Sequence, residues 1–267
     1  MKKLLAALLL ASAFIPSAFA DDGLRAAMAG AHRAPENVAR DGWRHPYETL
    51  KFFGITPTMT VIELSPGSGW YTEILAPYLR DKGQLIAAAY DPASSSNYMK
   101  RNVAEFQKKL ADKPAVYDKV KLSVFEMPKQ LDFAPVNPVD MVLTFRNLHN
   151  WSRNGDEAIK AAFQKVFNAL KPGGVFGIVD HRLPASKTQD EKASGGYVHE
   201  AYAIRLAESV GFKLVAKSEI NANPKDTADH PEGVWTLPPT YALKAKDREK
   251  YVAIGESDRF TLKFVKP

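Results

Sequence analysis

From about residue 59 onward the chain alternates short apolar runs with longer amphipathic stretches, and that alternation leaves few folds open. Strands separated by helical patterns pair in parallel, because the crossover returns the chain to the same end of the sheet. Met59–Leu64 is the first strand, and Trp70–Leu79 follows it with Tyr71, Ile74, Leu75, Tyr78 and Leu79 on one helical face. Gln84–Tyr90, Lys119–Phe125 and Val139–Phe145 are the next three strands, and Val103–Leu110 sits in a charged helix. Glu157–Leu170 carries the apolar stripe Ile159, Phe163, Val166, Phe167 and Leu170, and Lys171-Pro172-Gly173-Gly174 is expected to stop it with a left-handed glycine cap. Val175–Asp180, Phe212–Ser218 and Arg259–Val265 complete seven strands, with a helix marked by Val198, Tyr202, Leu206 and Val210 before the sixth. The expectation is an α/β protein with a mostly parallel sheet and helices on both faces.

The first twenty residues read differently. Lys2 and Lys3 precede an apolar run from Leu4 to Ile15, and Ala18-Phe19-Ala20 supplies a small-x-small cleavage pattern. The run is too short to span a bilayer, which needs about twenty apolar residues. The expectation is an export signal, residues 1–20, and a mature chain, 21–267, that is soluble and periplasmic in a bacterium. Losing Lys2 and Lys3 lowers the formal charge from +6 to +4, a mild excess without a long basic block, so nucleic acid is not an expected partner. The chain has 0 Cys, which excludes disulfides, thiolate metal sites and cysteine nucleophiles. The mature chain reads as a single domain: 21–55 as an N-terminal helical cap, 56–218 as the core, 219–258 as an insertion or lid, and 259–267 as the last strand.

Chemistry concentrates at strand ends. In Val61-Ile62-Glu63-Leu64-Ser65-Pro66-Gly67-Ser68-Gly69-Trp70-Tyr71 an apolar strand runs into a glycine-bearing turn that opens a helix. Gly67 and Gly69 let a ligand approach the backbone, and free amides at the helix start favour an electronegative group. A dinucleotide fingerprint would want glycine where Thr72 stands, and the acid Glu63 would repel a pyrophosphate. Glu63 suits a cation such as an amino group. Asp91 ends the second strand, where a carboxylate can accept from two ribose hydroxyls, and Glu126 ends the third, within reach of an adenine amine.

Arg146, Asn147 and His149 follow the fourth strand and are the candidate catalytic residues, together with His181 beside Asp180 at the end of the fifth. A histidine there can take a proton from an attacking oxygen or nitrogen. Arg44 and His45 in the cap are candidates to close over the site. His149, His181 and Asp180 would also suit zinc or iron if they met, but no two histidines show i, i+4 spacing and no metal is expected.

The stretch 59–79, Asp140-Met141-Val142-Leu143 followed by Arg146-Asn147-Leu148-His149, and Leu170-Lys171-Pro172-Gly173-Gly174 together resemble class I S-adenosylmethionine (SAM)-dependent methyltransferases. More narrowly, the chain resembles exported bacterial methyltransferases of unknown substrate, through Tyr47-Glu48-Thr49-Leu50-Lys51-Phe52-Phe53-Gly54, Pro66-Gly67-Ser68-Gly69-Trp70-Tyr71-Thr72-Glu73, Asn221-Ala222-Asn223-Pro224-Lys225-Asp226-Thr227 and Gly255-Glu256-Ser257-Asp258-Arg259. The resemblance implies a Rossmann-like seven-stranded sheet with an antiparallel last strand, and SAM over the 63–69 turn. It implies a cofactor set of Glu63, Ser65, Gly67, Gly69, Tyr71, Asp91 and Glu126. The family usually has glycine where Ser65 stands, which predicts a narrower or redirected pocket. Two functions stay open at this point: methyl transfer to a small-molecule or envelope acceptor, and an exported, non-catalytic or repurposed binding protein that keeps the fold. An enzyme of other chemistry built on the histidines is a third.

Overall fold

The computed structural model describes residues 17–135 and 138–267, with side chains from residue 22 onward. Four helices come first: α1 (Ser17–Met28), α2 (Pro35–Val38), α3 (Asp41–Arg44) and α4 (Pro46–Phe53). The first half of the sheet follows as β1 (Thr60–Leu64), α5 (Thr72–Leu79), β2 (Gln84–Ala89), α6 (Asn97–Asp112), α7 (Pro114–Tyr117) and β3 (Lys121–Val124). The second half contains β4 (Val139–Phe145), α8 (Leu148–Trp151), α9 (Asp156–Ala169), β5 (Leu170–His181), α10 (Glu200–Ser209), β6 (Lys213–Ser218), α11 (Arg248–Ile254) and β7 (Arg259–Val265). The seven strands form one sheet in the order β3-β2-β1-β4-β5-β7-β6. Pairing is parallel from β3 to β5, and β7 runs antiparallel to both β5 and β6. The expected Rossmann-like sheet is therefore present.

Side chains alternate across the central strands and bury both faces. Val61, Met141 and Leu143 pack with Leu24, Leu50, Phe53 and Ile74 from the α1, α4 and α5 side. Ile62, Leu64 and Val142 face Phe163, Val166 and Leu206 from α9 and α10. Gly177 in β5 lets α4 come down onto the sheet, since a Cβ there would lie 2.8 Å from the Phe53 ring. The strand order reverses between β1, which continues outward to β2, and β4, which continues to β5. A crevice opens beyond the carboxyl ends of strands at such a point.

Two local expectations are corrected. Helix α9 ends at Ala169, and Leu170 is already extended (φ −80, ψ 145), buried and paired with Val139. The left-handed glycine, Gly173 (φ 76), serves a four-residue excursion within β5, where its amide donates to the Lys266 carbonyl at 2.7 Å. The expected charged helix is α6, which contains Val103–Leu110 and is capped by Ser96, whose side chain accepts from the Met99 amide at 3.4 Å; Val103 and Phe106 are its buried residues. The stretch 219–258 contains α11 and a 3-10 turn, Gly233–Thr236. It is latched by buried polar groups: Asn223 Nδ2 donates to the Ile254 and Glu256 carbonyls, and Asp226 accepts from the Tyr197 hydroxyl and the Asp258 amide.

Residues 1–16 of the expected export signal lie outside the described residues. Helix α1 runs past the expected cleavage point after Ala20, and its Leu24 and Ala27 are buried. No helix among the described residues is long and apolar enough to cross a membrane.

Candidate functional site

Two non-glycine residues in left-handed backbone conformation stand where the central strands end: Ser65 (φ 49) after β1 and Arg146 (φ 61) after β4. The left-handed region costs a residue with a Cβ of order 1 kcal/mol, and such strain collects at functional sites. Asn147 ties the two turns together. Its amide nitrogen donates to the Leu64 carbonyl (3.1 Å), the Ser65 carbonyl (3.3 Å) and Thr144 Oγ1 (3.0 Å), so this expected catalytic residue positions the turns.

A cavity of about 420 Å³ opens at this strand reversal. The β1 turn, Ser65 to Ser68, lines it with Tyr90 and Tyr98, and Arg146, His149 and His181 line it from the ends of β4 and β5. Arg40 and Arg44 close it from the N-terminal helices, and Trp235, Pro238 and Glu256 from the 219–258 stretch. Four sequence candidates for the substrate side, Arg146, Asn147, His149 and His181, thus meet on one cavity, and Arg44 joins them. His45 does not line it.

Behind the histidines, Asp180 is fully buried. Its Oδ1 accepts from the His181 amide (2.7 Å) and from His149 Nδ1 (2.8 Å), and its Oδ2 from the His149 amide (3.1 Å). A carboxylate only accepts, so it holds the proton on Nδ1 and leaves the Nε2 lone pair of His149 available to the cavity. His181 Nδ1 bonds the Ser257 hydroxyl at 2.5 Å. Burial, with His149 and the nearby arginines, keeps His181 neutral by pushing its pKa well below the ordinary value. His149, Asp180 and His181 offer ligand atoms within 4.8 Å of one another. The oxygens of Asp180 are already taken by amide and imidazole donors, however, and arginines crowd the wall, so the surroundings favour an anion over a dication.

The arginines converge on Glu256. Arg40 Nε donates to its Oε1 (2.6 Å), Arg44 Nε to its Oε2 (3.1 Å) and Arg259 Nη1 to its Oε2 (2.8 Å). Burial alone would raise the Glu256 carboxyl, but Arg44, Arg259 and Arg40 hold it well below the usual range. Glu256, Arg40 and Trp235 were not among the sequence candidates. Their neighbourhoods were marked by the 21–55 cap, the 219–258 insertion or lid and the Gly255-Glu256-Ser257-Asp258-Arg259 phrase.

The cofactor candidates divide. Ser65 and Gly67 are on the wall, and a Cβ added at Gly67 would meet nothing within 4 Å. Gly69 instead admits Phe106, whose ring would lie 2.9 Å from a Cβ there, so α6 makes the close approach. Tyr71 is beneath the wall, stacked on Phe145 with centroids 3.5 Å apart. Asp91 and Glu126 stand together away from the wall: Glu126 accepts from the Asp91 amide (3.2 Å) and Ser94 Oγ (2.7 Å), and Asp91 from Gln130 Nε2 (3.1 Å). Glu63 lies under the turn, accepting from Thr72 Oγ1 at 2.6 Å, and so pins the first residue of α5 to the end of β1.

No family model matches the chain, and no curated protein matches it. Solved structures do. A SAM-dependent methyltransferase from Aquifex aeolicus is similar with a TM-score of 0.55 at 15% identity, over 92% of this chain and 98% of that one. The glycopeptide N-methyltransferase MtfA, complexed with S-adenosyl-L-homocysteine, gives 0.54 at 17%, over 85% and 90%. The [4+2]-cyclase SpnF gives 0.55 at 16%, over 90% and 85%. At these identities the likeness establishes the fold, and the chemistry has to be argued from the site.

Glu63 gives the site a pH signature. Burial pushes its carboxyl up to about 7, against the Thr72 hydrogen bond and the charges of Arg146 and Lys109. An unfolded glutamate releases its proton near about pH 4.3. The folded chain therefore binds the extra proton between those values, and stability falls as pH rises through that window. The depressed His181 acts in the opposite sense, so the comparison is made within one variant. Glu63→Gln, which keeps an acceptor for Thr72, should gain roughly 1–3 kcal/mol on wild type between about pH 4 and about pH 8 in denaturant unfolding. A gain that does not change with pH contradicts the assignment.

Proposed function

We propose that this chain is a SAM-dependent methyltransferase in which His149, oriented by Asp180, is the general base. The observation that carries the reading is His149 Nε2, without a hydrogen-bond partner among the described residues, on a cavity shared with the strained β1 turn. The turn fits the cofactor. Open space at Gly67 gives a ligand access to the backbone, Ser65 Oγ is buried with no partner among the described residues, and Tyr90 and Tyr98 offer aromatic faces to a base. Ser65, Gly67 and Ser68 would hold SAM at this wall, and the bound cofactor supplies a methyl group on a sulfonium, a centre open to attack by an oxygen or nitrogen lone pair. His149 Nε2 takes the proton of the acceptor's O–H or N–H, and Asp180 stabilises the imidazolium that results. Trp235, 6.2 Å from the His149 ring, and Pro238 line the cavity beside the base. Fixing acceptor and base in one small cavity supplies part of the barrier reduction by alignment alone.

The acceptor is a small molecule or a component of the cell envelope, and the site works after export to a bacterial periplasm. Lys2, Lys3, the apolar run to Ile15 and Ala18-Phe19-Ala20 support that location. Expressed whole in a Gram-negative host, the protein should be recovered from the periplasm with Asp21 as its first residue. Recovery from the cytoplasm with Met1 intact overturns the export reading.

Thermal unfolding of residues 21–267 tests the cofactor. SAM at a hundredfold its dissociation constant should stabilise the protein by about 2.7 kcal/mol, a shift of about 5–10 °C, and NAD should give none. No shift at millimolar SAM removes the reading. His149→Gln should keep the SAM shift while lowering methyl transfer to the acceptor about a hundredfold or more. Unchanged turnover in that variant excludes His149 as the base.

A further inference from the structure

The cavity wall carries more positive charge than its own carboxylates answer. Arg40, Arg44 and Arg146 line it, and among the described residues Glu256 is the one carboxylate that does. Glu256 is already shared by Arg40, Arg44 and Arg259. The carboxyls behind the wall are committed too, Asp180 to His149 and Glu63 to Thr72. Arg44 Nη1 is buried with no hydrogen-bond partner, and the Arg146 guanidinium has no carboxylate bonded to it, among the described residues. Burial drives the pKa of Arg146 down to about 10, with Arg259 and Arg40 adding repulsion against the pull of Glu256. Its backbone is left-handed as well (φ 61). A strained, half-buried cation with no carboxylate partner among the described residues lowers stability and makes sense where a ligand completes it.

We propose that the methyl acceptor carries an acidic oxyanion group, a carboxylate or phosphate, that seats on Arg146 and Arg44 beside His149. The proposal rests on the methyl-transfer reading above and supplies its substrate class. Arg146 and His149 stand three residues apart on one turn, so an anion held by the first brings the acceptor's neighbouring O–H or N–H to the second. Charge argues in the same direction. A sulfonium facing this arginine-lined cavity is repelled, and an oxyanion between them turns that repulsion into attraction. Guanidinium is also suited to binding the two oxygens of such a group together. The methyl group passes to the acceptor heteroatom, its proton passes to His149 Nε2, and the sulfur departs as a neutral thioether. The acidic group is unchanged and leaves with the product.

The same oxyanion chemistry could be met by the cofactor's own amino-acid carboxylate, and the two sources predict opposite couplings. Binding of SAM and of S-adenosylhomocysteine is measured by calorimetry on residues 21–267, with and without inorganic phosphate at ionic strength matched by sodium chloride. Seating of an acceptor anion predicts that phosphate tightens SAM about fivefold or more and affects the uncharged thioether product less, with reciprocal tightening of phosphate by SAM. Arg146→Gln should weaken phosphate by about tenfold to a hundredfold and abolish the coupling, and Arg146→Lys should restore part of both. The melting temperature of Arg146→Gln should stay level or rise, which separates lost binding from lost folding. Phosphate that competes equally with both nucleosides, together with weakened binding of both to Arg146→Gln, assigns the arginines to the cofactor and overturns the proposal. So does SAM binding with no phosphate binding at all. If phosphate binds through Arg146 but neither nucleoside binds, the methyl-transfer reading falls and the anion site stands.

Discussion

Three arginines from two distant stretches of chain, Arg40 and Arg44 near the start and Arg259 in β7, meet on the single carboxylate of Glu256. Arg40, Arg44 and Glu256 of this contact line the cavity. The contact ties α3 and the loop before it to the last strand, beside the Arg259 Nη2 bond to the Trp43 carbonyl. A buried ion cluster adds little net stability over an apolar one, because desolvation offsets most of the attraction, but removing one member leaves the others buried and unpaired. Glu256 therefore fixes geometry more than it adds energy. With it in place, Arg44 lies over the Trp70 ring at 4.7 Å and faces the cavity beside Arg146.

The sheet supplies the other half of the arrangement. Parallel strands bring the turns after β1, β4 and β5 to one edge, and the reversal between β1 and β4 opens a gap there. Into that gap the β1 turn presents Ser65 and Gly67, the β4 turn presents Arg146 and His149, and the end of β5 presents His181, with Asp180 supporting both histidines from behind. Asn147 bonds across the gap to β1 and sets its width.

The strands and their order of appearance were legible because apolar runs and amphipathic stretches alternate from β1 to β6, apart from the helix-free link between β3 and β4. The residues after β1, β4 and β5 were legible as candidates for the same reason, since parallel topology gathers strand ends whatever lies between. Which way an acid turns was not. Glu63, Asp91 and Glu126 all stand near strand ends, yet Thr72 engages Glu63, Ala93 engages Asp91 and Ser94 of the loop after β2 engages Glu126, and sequence periodicity says nothing of such partners. Glu256 and Trp235 were missed for another reason. They reach the site from a stretch with no strand–helix pattern, placed by the hydrogen bonds of Asn223 and Asp226. Gly69 shows the converse error, for a glycine in a ligand-binding-like turn is required here by Phe106.

The central claim is that one cavity at the strand reversal joins a nucleoside wall, a base and an anion seat. A crystal structure of residues 21–267 with S-adenosylhomocysteine and inorganic phosphate tests it directly. The account predicts the nucleoside along Ser65–Ser68, its sulfur facing His149 Nε2, and phosphate on Arg146 and Arg44. A nucleoside bound elsewhere, or one whose own carboxylate occupies Arg146 and excludes phosphate, would contradict it.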